Sequence, residues 1–427
     1  MHIGKGAAIG VDFGTTNSVV AIASPNGHVE TLVWPTAEGP TETFRTALMF
    51  WREGRKTLHV AGPKAIERAI AQETEQRFIQ SIKTYLASPL FTETRLYGER
   101  FTIERLIEIF LGHLLEELSP EALKTVPVAG GRPVIFAGEN PNEDLAVARL
   151  QSAYAGAGLP QVALAYEPLG AAYWYARALQ HDETVLVADF GGGTSDFSVL
   201  RFHLRGKSLM TEALAHSGVG IAGDTFDYRI IDHVVAPRLG KGTFYRSFEK
   251  LLPMPAYFYA AFAQWHQLSW LKSGSTLAEL KKLAAVSEEP RMIEDLSTLI
   301  EMDLGFELYR AVGALKAELS SAEQALFAFD RDGIKIEADV RRSDFEAWIA
   351  PDLAKIAEAM ESAIAKANVR PKDIDAVFMT GGTSFVPAVR QLFTKRFGKD
   401  RIHVGDAFQS VASGLALLAL DQTRLKT

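Results

Sequence analysis

Cysteine is missing from the 427-residue chain. Disulfides, thiolate nucleophiles and cysteine-ligated metals are therefore excluded, and a reducing compartment suits such a composition. Long apolar runs are missing too. No stretch approaches ~18 uninterrupted apolar residues, and Met1-His2-Ile3-Gly4-Lys5-Gly6 lacks the apolar core of a signal peptide. The run Leu415–Leu420 is too short to cross a bilayer and reads as the buried face of a last helix. A cytoplasmic protein with no membrane partner is expected. Runs of like charge are absent, and a net charge of −7 leaves no broad basic face, so nucleic acid is not an expected partner. Three patterns are also lacking: Gly-x-x-x-x-Gly-Lys-Ser/Thr, the Gly-x-Ser-x-Gly elbow, and His/Asp/Glu clusters at metal-ligand spacing. An enzyme of the P-loop type is thereby excluded.

What is present is a globular composition, 47% hydrophobic and 23% charged, at a length that suggests two or three domains. Val185-Leu186-Val187-Ala188 reads as a buried strand that ends at Asp189. Gly191, Gly192 and Gly193 let the chain reverse, and Phe197, Val199 and Phe202 resume an alternating pattern on the returning strand. A turn free of side chains lets backbone N–H groups cradle a phosphate. Asp189, at the strand end, is placed to hold a hydrated divalent cation against it. The same plan occurs in Ile9–Ile22, where an apolar strand ends in Asp12-Phe13-Gly14, Thr15 and Thr16 form the turn, and an apolar strand returns. Two related lobes, each offering a phosphate-gripping hairpin to one cleft, are the simplest reading.

Along the chain, His28–Trp34, Thr46–Trp51 and Lys56–Val60 read as strands. Ile66, Ile70, Phe78, Ile82 and Leu86 recur at helical spacing and predict a helix from Pro63 to about Leu86. Lys83 falls on that helix, where a lysine is ordinarily solvated. Ile103–Leu118 is a second amphipathic helix. Pro133–Gly138 reads as a buried strand, and Asn142–Ala157 as a helix with Asn142 as its N-cap and Gly158 as its stop. Val162–Ala165 is a short strand running into a helix that Glu167 and Pro168 begin. Small Gly170, Ala171 and Ala172 let that helix pack closely on a partner. Ser217–Asp227, punctuated by Gly218, Gly220 and Gly223, precedes a helix from Thr225 to about Val235 and makes a weak anion site. Residues 240–310 are rich in aromatics, including Phe244, Phe248, Tyr257, Phe258, Tyr259, Phe262, Trp265 and Trp270. They read as a helical insertion with those rings in its core. Ala311–Ala325 is helical, with Lys316 and Ser320 on one face. Asp330–Gly333 is a hairpin turn, and Ser343 caps a long helix with Glu346 completing the box. Ile374–Met379 is a buried strand delivered into Thr380-Gly381-Gly382-Thr383-Ser384, before a helix over Pro387–Phe397.

In this order, Ile-Gly-Val-Asp-Phe-Gly-Thr-Thr-Asn-Ser (9–18), Glu-Pro-Leu-Gly-Ala-Ala (167–172), Asp-Phe-Gly-Gly-Gly-Thr-Ser-Asp (189–196) and Gly-Gly-Thr-Ser-Phe-Val-Pro (381–387) resemble the actin, sugar-kinase and heat-shock-chaperone ATPase superfamily. The chain looks most like the nucleotide-binding domain of DnaK-type chaperones, and within them like the YegD branch. The resemblance implies an α/β, two-lobed actin-like ATPase fold closing on Mg-ATP. Each lobe would be a ribonuclease-H-like core with an inserted subdomain: lobe I over 1–175, with an insertion at about 40–125, and lobe II over 176–427, with one at about 228–342. By the same resemblance Gly14, Thr15, Thr16 and Asn17 grip the phosphates of ATP or ADP, as do Gly191, Gly192, Gly193 and Thr194. Asp12 and Asp189 hold Mg2+ through water, and Lys83, Glu167 and Asp196 arrange the attacking water. Gly223, Lys316, Ser320, Gly381, Gly382, Thr383 and Phe385 fall on the nucleoside-facing segments.

Four departures from the family pattern stand out. Gly313 and Ala317 replace the acidic and basic clamps of the adenosine helix, Phe385 replaces an adenine-stacking arginine, and Phe408 replaces an acidic residue. The peptide-binding β-sandwich of DnaK is not in the sequence, so peptide clamping is not expected. The function implied is slow ATP hydrolysis coupling lobe closure to a protein partner or co-chaperone. A small-molecule kinase, or a non-hydrolysing switch or filament protein, are the alternatives on the same fold.

Overall fold

β1 (Ala8–Phe13) and β2 (Asn17–Ala23) form the first hairpin, with Asp12 opposite Val19 and Phe13 opposite Ser18. β3 (Val29–Thr31) continues it antiparallel, whereas β4 (Val128–Arg132) and β5 (Ala163–Tyr166) add on the other side of β1 in parallel. The sheet order is therefore β5-β4-β1-β2-β3, and the short segment Phe44–Arg45 also pairs with β2. A second sheet repeats this plan. β6 (Glu183–Phe190), β7 (Ser195–Arg205) and β8 (Ser208–Val219) are antiparallel, β9 (Ala376–Thr380) and β10 (Ile402–Val404) are parallel to β6, and the order is β10-β9-β6-β7-β8. The computed structural model describes residues 3–37, 39–71, 76–138, 140–177, 179–205, 208–263, 271–405 and 410–424.

Side-chain alternation along the strands decides what each face of the first sheet meets. Ile9, Val11 and Phe13 point to one face of the first sheet and pack with α1 (Ile103–Leu114) and α2 (Glu143–Gly156) through Leu106, Phe110, Leu150 and Tyr154. Ala8, Ala21 and Ala129 point to the other face. They share a core with Val185, Val187, Leu200 and Phe202 of the second sheet and with two helices, α3 (Glu167–Ala176) and the C-terminal Ser410–Arg424. These helices cross backbone to backbone: a Cβ on Gly414 would stand 1.7 Å from the Gly170 carbonyl oxygen, and one on Gly10 would stand 2.1 Å from that of Ala412. The close packing expected around Gly170 is thus realised against the last helix, whose Leu415–Leu420 run is buried as expected.

Two sequence expectations fail here for a shared reason, that pairing partners far away in the chain outweigh local pattern. The helix expected over Pro63–Leu86 ends at Ile70. Gln76–Gln80 is a strand on the edge of Ala47–Glu53, Ser81 takes a left-handed φ of 53°, and Lys83 lies in a 3₁₀ turn, Ile82–Tyr85. The strand expected over Pro133–Gly138 is instead β4, one step earlier. Its Gly130 and Gly131 mask the strand signal, yet a Cβ on either would come within 3.0 Å of Tyr154 or Glu167. Smaller differences are that β3 is shorter than His28–Trp34, that the expected Ala311–Ala325 helix ends at Leu319, and that the long helix Arg342–Lys366 takes Ser343 into its first turn. The N-cap at Asn142 is as expected, its side chain accepting from Leu145 N.

By its contacts the chain divides into two units, and both sheets belong to the first, Met1–Ala222 with Lys355–Ser384 and Val389–Thr427. The second comprises Gly223–Ala354 and Phe385–Ala388. It contains α4 (Gly223–Ile230), α5 (Gly305–Leu319), helices over Gly274–Val286 and Pro290–Glu301, and two hairpins. Asp332 and Gly333, both left-handed, make the expected turn of one hairpin. In the 240–310 stretch Phe258, Tyr259 and Phe262 are core residues, whereas Phe244, Phe248 and Tyr257 are exposed. Trp265, Trp270 and Phe408 lie outside the described residues. Among the described residues no helix is long and apolar enough to cross a membrane.

Candidate functional site

Period-two alternation carries Asp12 to the same face of β1 as Ala8 and Gly10, and Asp189 to the same face of β6 as Val185 and Val187. Both faces look onto the shared helical core, at the end where α3 begins with Glu167. Asp196 stands directly opposite Asp189 in the β6–β7 pair. Four carboxylates therefore converge, and Asp12, Glu167 and Asp196 all act electrostatically on Asp189. The one ammonium among them is Lys83, whose Nζ is 2.5 Å from Glu167 Oε1. Asp189, Asp196, Glu167 and Lys83 are all buried, at 9%, 2%, 8% and 7% exposure. A charge excess of this kind in so little water is costly unless something positive offsets it.

The protonation equilibria record that cost. Burial, then the Glu167 charge, pushes the Asp12 carboxyl up to about 7, with Lys83 opposing. Asp196 also rises to about 7, for burial first and Glu167 second, against the hydrogen bonds it receives. Asp189 is driven well above the ordinary carboxylate range by burial and by Glu167, Asp12 and Asp196. For Lys83 burial favours the neutral amine, but the pull of Glu167 and Asp12 favours the ammonium, and the net shift is upward.

Local structure holds Asp196 and the turns that follow Asp12 and Asp189. Asp196 Oδ1 accepts from the backbone N–H of Val134 (3.1 Å) and Ile135 (3.2 Å), and Oδ2 accepts from Thr194 Oγ1 (2.9 Å). Hydrogen bonds to a charged acceptor contribute about 1.5–3 kcal/mol each, which fixes this carboxylate's orientation. The stretch that leaves β4 thus turns its amides to Asp196 in place of a strand neighbour. The first turn is fastened by Thr46, whose Oγ1 donates to Gly14 O (2.8 Å) and shares a 2.9 Å hydrogen bond with Ser18 Oγ; Thr46 N donates to Thr16 O. A Cβ on Gly14 would stand 2.1 Å from Asn17 O, so this turn is tight. In the second turn Gly191 N donates to Thr194 O (2.9 Å), while no atom lies within 4 Å of a Cβ built on Gly193. Gly381 follows β9 with φ 86°, its would-be Cβ 1.9 Å from Phe190 O, which brings the Gly381-Gly382-Thr383 loop against the end of β6.

The donor set tests whether a metal fits. Carboxylates in excess, with neither thiol nor imidazole among them, suit a hard oxygen-seeking cation such as Mg2+. Among the described residues no three His, Asp or Glu side chains form a direct metal cage. A cation held by two aspartates through its own waters agrees with both facts.

The family described as "Hsp70 protein" matches residues 142–241 and 301–420, together just over half of the chain. The chain belongs to the Hsp70 family. It is 27% identical over 422 residues to the chaperone protein DnaK of Thermotoga petrophila, covering 97% of this chain and 59% of that protein. DnaK of Thermosipho africanus gives 27% over 420 residues, with the same coverage. The chain thus spans about three fifths of the length of the curated relatives it matches. With the ribonuclease-H-like strand order present twice, this Hsp70-family chain has the mixed α/β, actin-like ATPase fold.

The remaining sequence-derived residues of the Hsp70-family chain lie in the second unit. Lys316, on α5, pairs with Asp227 Oδ1 (2.7 Å) and donates to Gly223 O (3.2 Å), so it fastens α4 to α5. Ser320 Oγ donates back to Lys316 O (3.0 Å), and Phe385 is exposed. Thr46, Ser18, Asp227 and the Val134–Ile135 amides escaped the sequence reading. Each is an ordinary residue locally, and only its distant partner gives it a role.

Proposed function

We propose that the chain binds ATP and ADP with Mg2+, hydrolyses ATP slowly, and signals nucleotide state to a protein partner or co-chaperone by closure of its lobes. The observation that carries this reading is the convergence of Asp12 with the buried Glu167, Asp189 and Asp196 on the ammonium of Lys83, beside two glycine-containing turns. Gly14, Thr15, Thr16 and Asn17 on one turn, and Gly191, Gly192, Gly193 and Thr194 on the other, would donate backbone and hydroxyl hydrogen bonds to the β- and γ-phosphates. Asp12 and Asp189 would hold the Mg2+ through water, and the bound ion would neutralise phosphate charge. Glu167 and Asp196, each held by the contacts above, would orient a water for in-line attack, and Lys83 would face the phosphate oxygens. Gly223, Lys316, Ser320, Gly381, Gly382, Thr383 and Phe385 are proposed for the nucleoside, with the base preference set by Phe385 and by the small Gly313 and Ala317.

Calorimetric titration with ATP, ADP and GTP, with and without Mg2+, tests the binding. Mg2+-dependent binding should be lost in Asp12→Asn and Asp189→Asn, and turnover lost in Asp189→Asn and Thr194→Val. Undiminished hydrolysis in both of the latter variants would refute the assignment.

A further inference from the structure

Arg149 is nine-tenths buried on α2, and every one of its guanidinium nitrogens is engaged. Nη1 donates to the carbonyl oxygens of Leu86 (3.0 Å), Ser88 (2.9 Å) and, at 3.4 Å, Tyr85; Nη2 donates to Phe91 O (2.8 Å); Nε donates to Glu104 Oε1 (3.1 Å) at the start of α1. These carbonyls belong to the strap that leaves the 3₁₀ turn Ile82–Tyr85, and Leu86 N donates back to Lys83 O (3.2 Å). Asn142 N, at the head of the same helix, grips the strap again at Ala87 O (3.0 Å). The strap has no strand or helix of its own to satisfy these carbonyls, so α2 supplies their donors. On the other side of the turn Ser81 is left-handed, a conformation that persists only where its surroundings impose it. The chain then runs from α2 through β5 to Glu167, the partner of Lys83.

We infer that Arg149 is a positioning residue that fixes the Lys83 ammonium in the phosphate site, so that both members of the Lys83–Glu167 pair are referenced to one helix. The inference rests on the reading of Lys83 as a phosphate-facing group. A planar five-donor fork meets this set of carbonyls in a way that a lysine ammonium cannot, so Arg149→Lys is a partial loss and Arg149→Met a full one.

Two readouts test it in the whole chain. The first needs no nucleotide: acetylation of Lys83 by acetic anhydride, followed by peptide mass spectrometry. Lys83 should be protected in the wild type and modified several-fold faster in Arg149→Met, less so in Arg149→Lys, with the surface lysines unchanged. The second is single-turnover ATP hydrolysis. Arg149→Met should slow it about tenfold or more with Mg-ADP affinity retained, and should add nothing in a Lys83→Met background. Glu104→Gln, which leaves the strap's carbonyls paired, serves if Arg149→Met does not fold, and should raise Lys83 labelling more modestly. Unchanged labelling in a folded Arg149 variant, or a slowing that persists undiminished without Lys83, overturns the inference. A wild type that neither binds nor hydrolyses ATP, with labelling still responsive to Arg149, overturns the proposed function and leaves the positioning of Lys83 standing.

Discussion

Lys83 and Glu167 are mutually dependent, because each is buried and Glu167 has three further carboxylates as neighbours. Removing the ammonium leaves uncompensated negative charge in a dry site, an effect of about 3–5 kcal/mol in comparable pairs. Lys83→Met should therefore lower the free energy of unfolding by roughly 3 kcal/mol in urea at pH 7. Adding Glu167→Gln should restore much of that, since the second change removes the stranded charge. A single variant as stable as the wild type would show that the pair carries little. Nothing local marks Lys83 for this position. Its neighbours Ile82 and Tyr85 fit a helix pattern in which a lysine faces water, and only the partner 84 residues away changes that.

At the scale of elements, the legible parts are those whose signal is short. Each Asp-ended hairpin is written within about a dozen residues: apolar strand, Asp, small turn, apolar strand. Both form with the expected ends, and so do the Asn142-capped helix and the helix over Pro387–Phe397. Elements that rely on distant partners are not legible in the same way. Gln76–Gln80 becomes a strand because Ala47–Glu53 offers an edge, and β4 forms despite two glycines because Tyr154 and Glu167 occupy the space their side chains would fill. The crossing of α3 with the C-terminal helix is of this second kind and gives a sharp test. Gly414→Ala would drive a methyl group to 1.7 Å from Gly170 O, so the helices must separate. Overpacking at a close-packed site costs about 1–3 kcal/mol, and backbone-on-backbone contact belongs at the upper end. Gly112, exposed on α1 with open space within 4 Å of where a Cβ would stand, is the control: Gly112→Ala should stabilise by up to about 1 kcal/mol. Denaturant midpoints that move the same way in both variants would contradict this account of the crossing.

At the scale of the whole molecule, the repeated strand order delivers acids from two sheets to one place, and the sum of their charges couples stability to pH. In the folded chain Asp12 and Asp196 hold their protons up to about 7, whereas an unfolded carboxyl of this type releases its proton near 3.8. Between those values the folded state binds more protons than the unfolded one. Stability from these groups is therefore fully present below pH 4 and lost as the pH rises through 7. Bound here as proposed, Mg2+ would reverse the sign of the local field, favour the ionised acids, and compete with their protons. Its stabilising effect should therefore grow with pH across the same window. Thermal unfolding with ADP, at pH 5 and at pH 8, with and without Mg2+, reads this directly. The Mg2+-dependent rise in midpoint should be larger at pH 8, and the difference between the two pH values should shrink in Asp196→Asn, where one titrating acid is gone and both proposed ion holders, Asp12 and Asp189, remain. A rise of equal size at both pH values would mean that the ion binds away from these carboxylates.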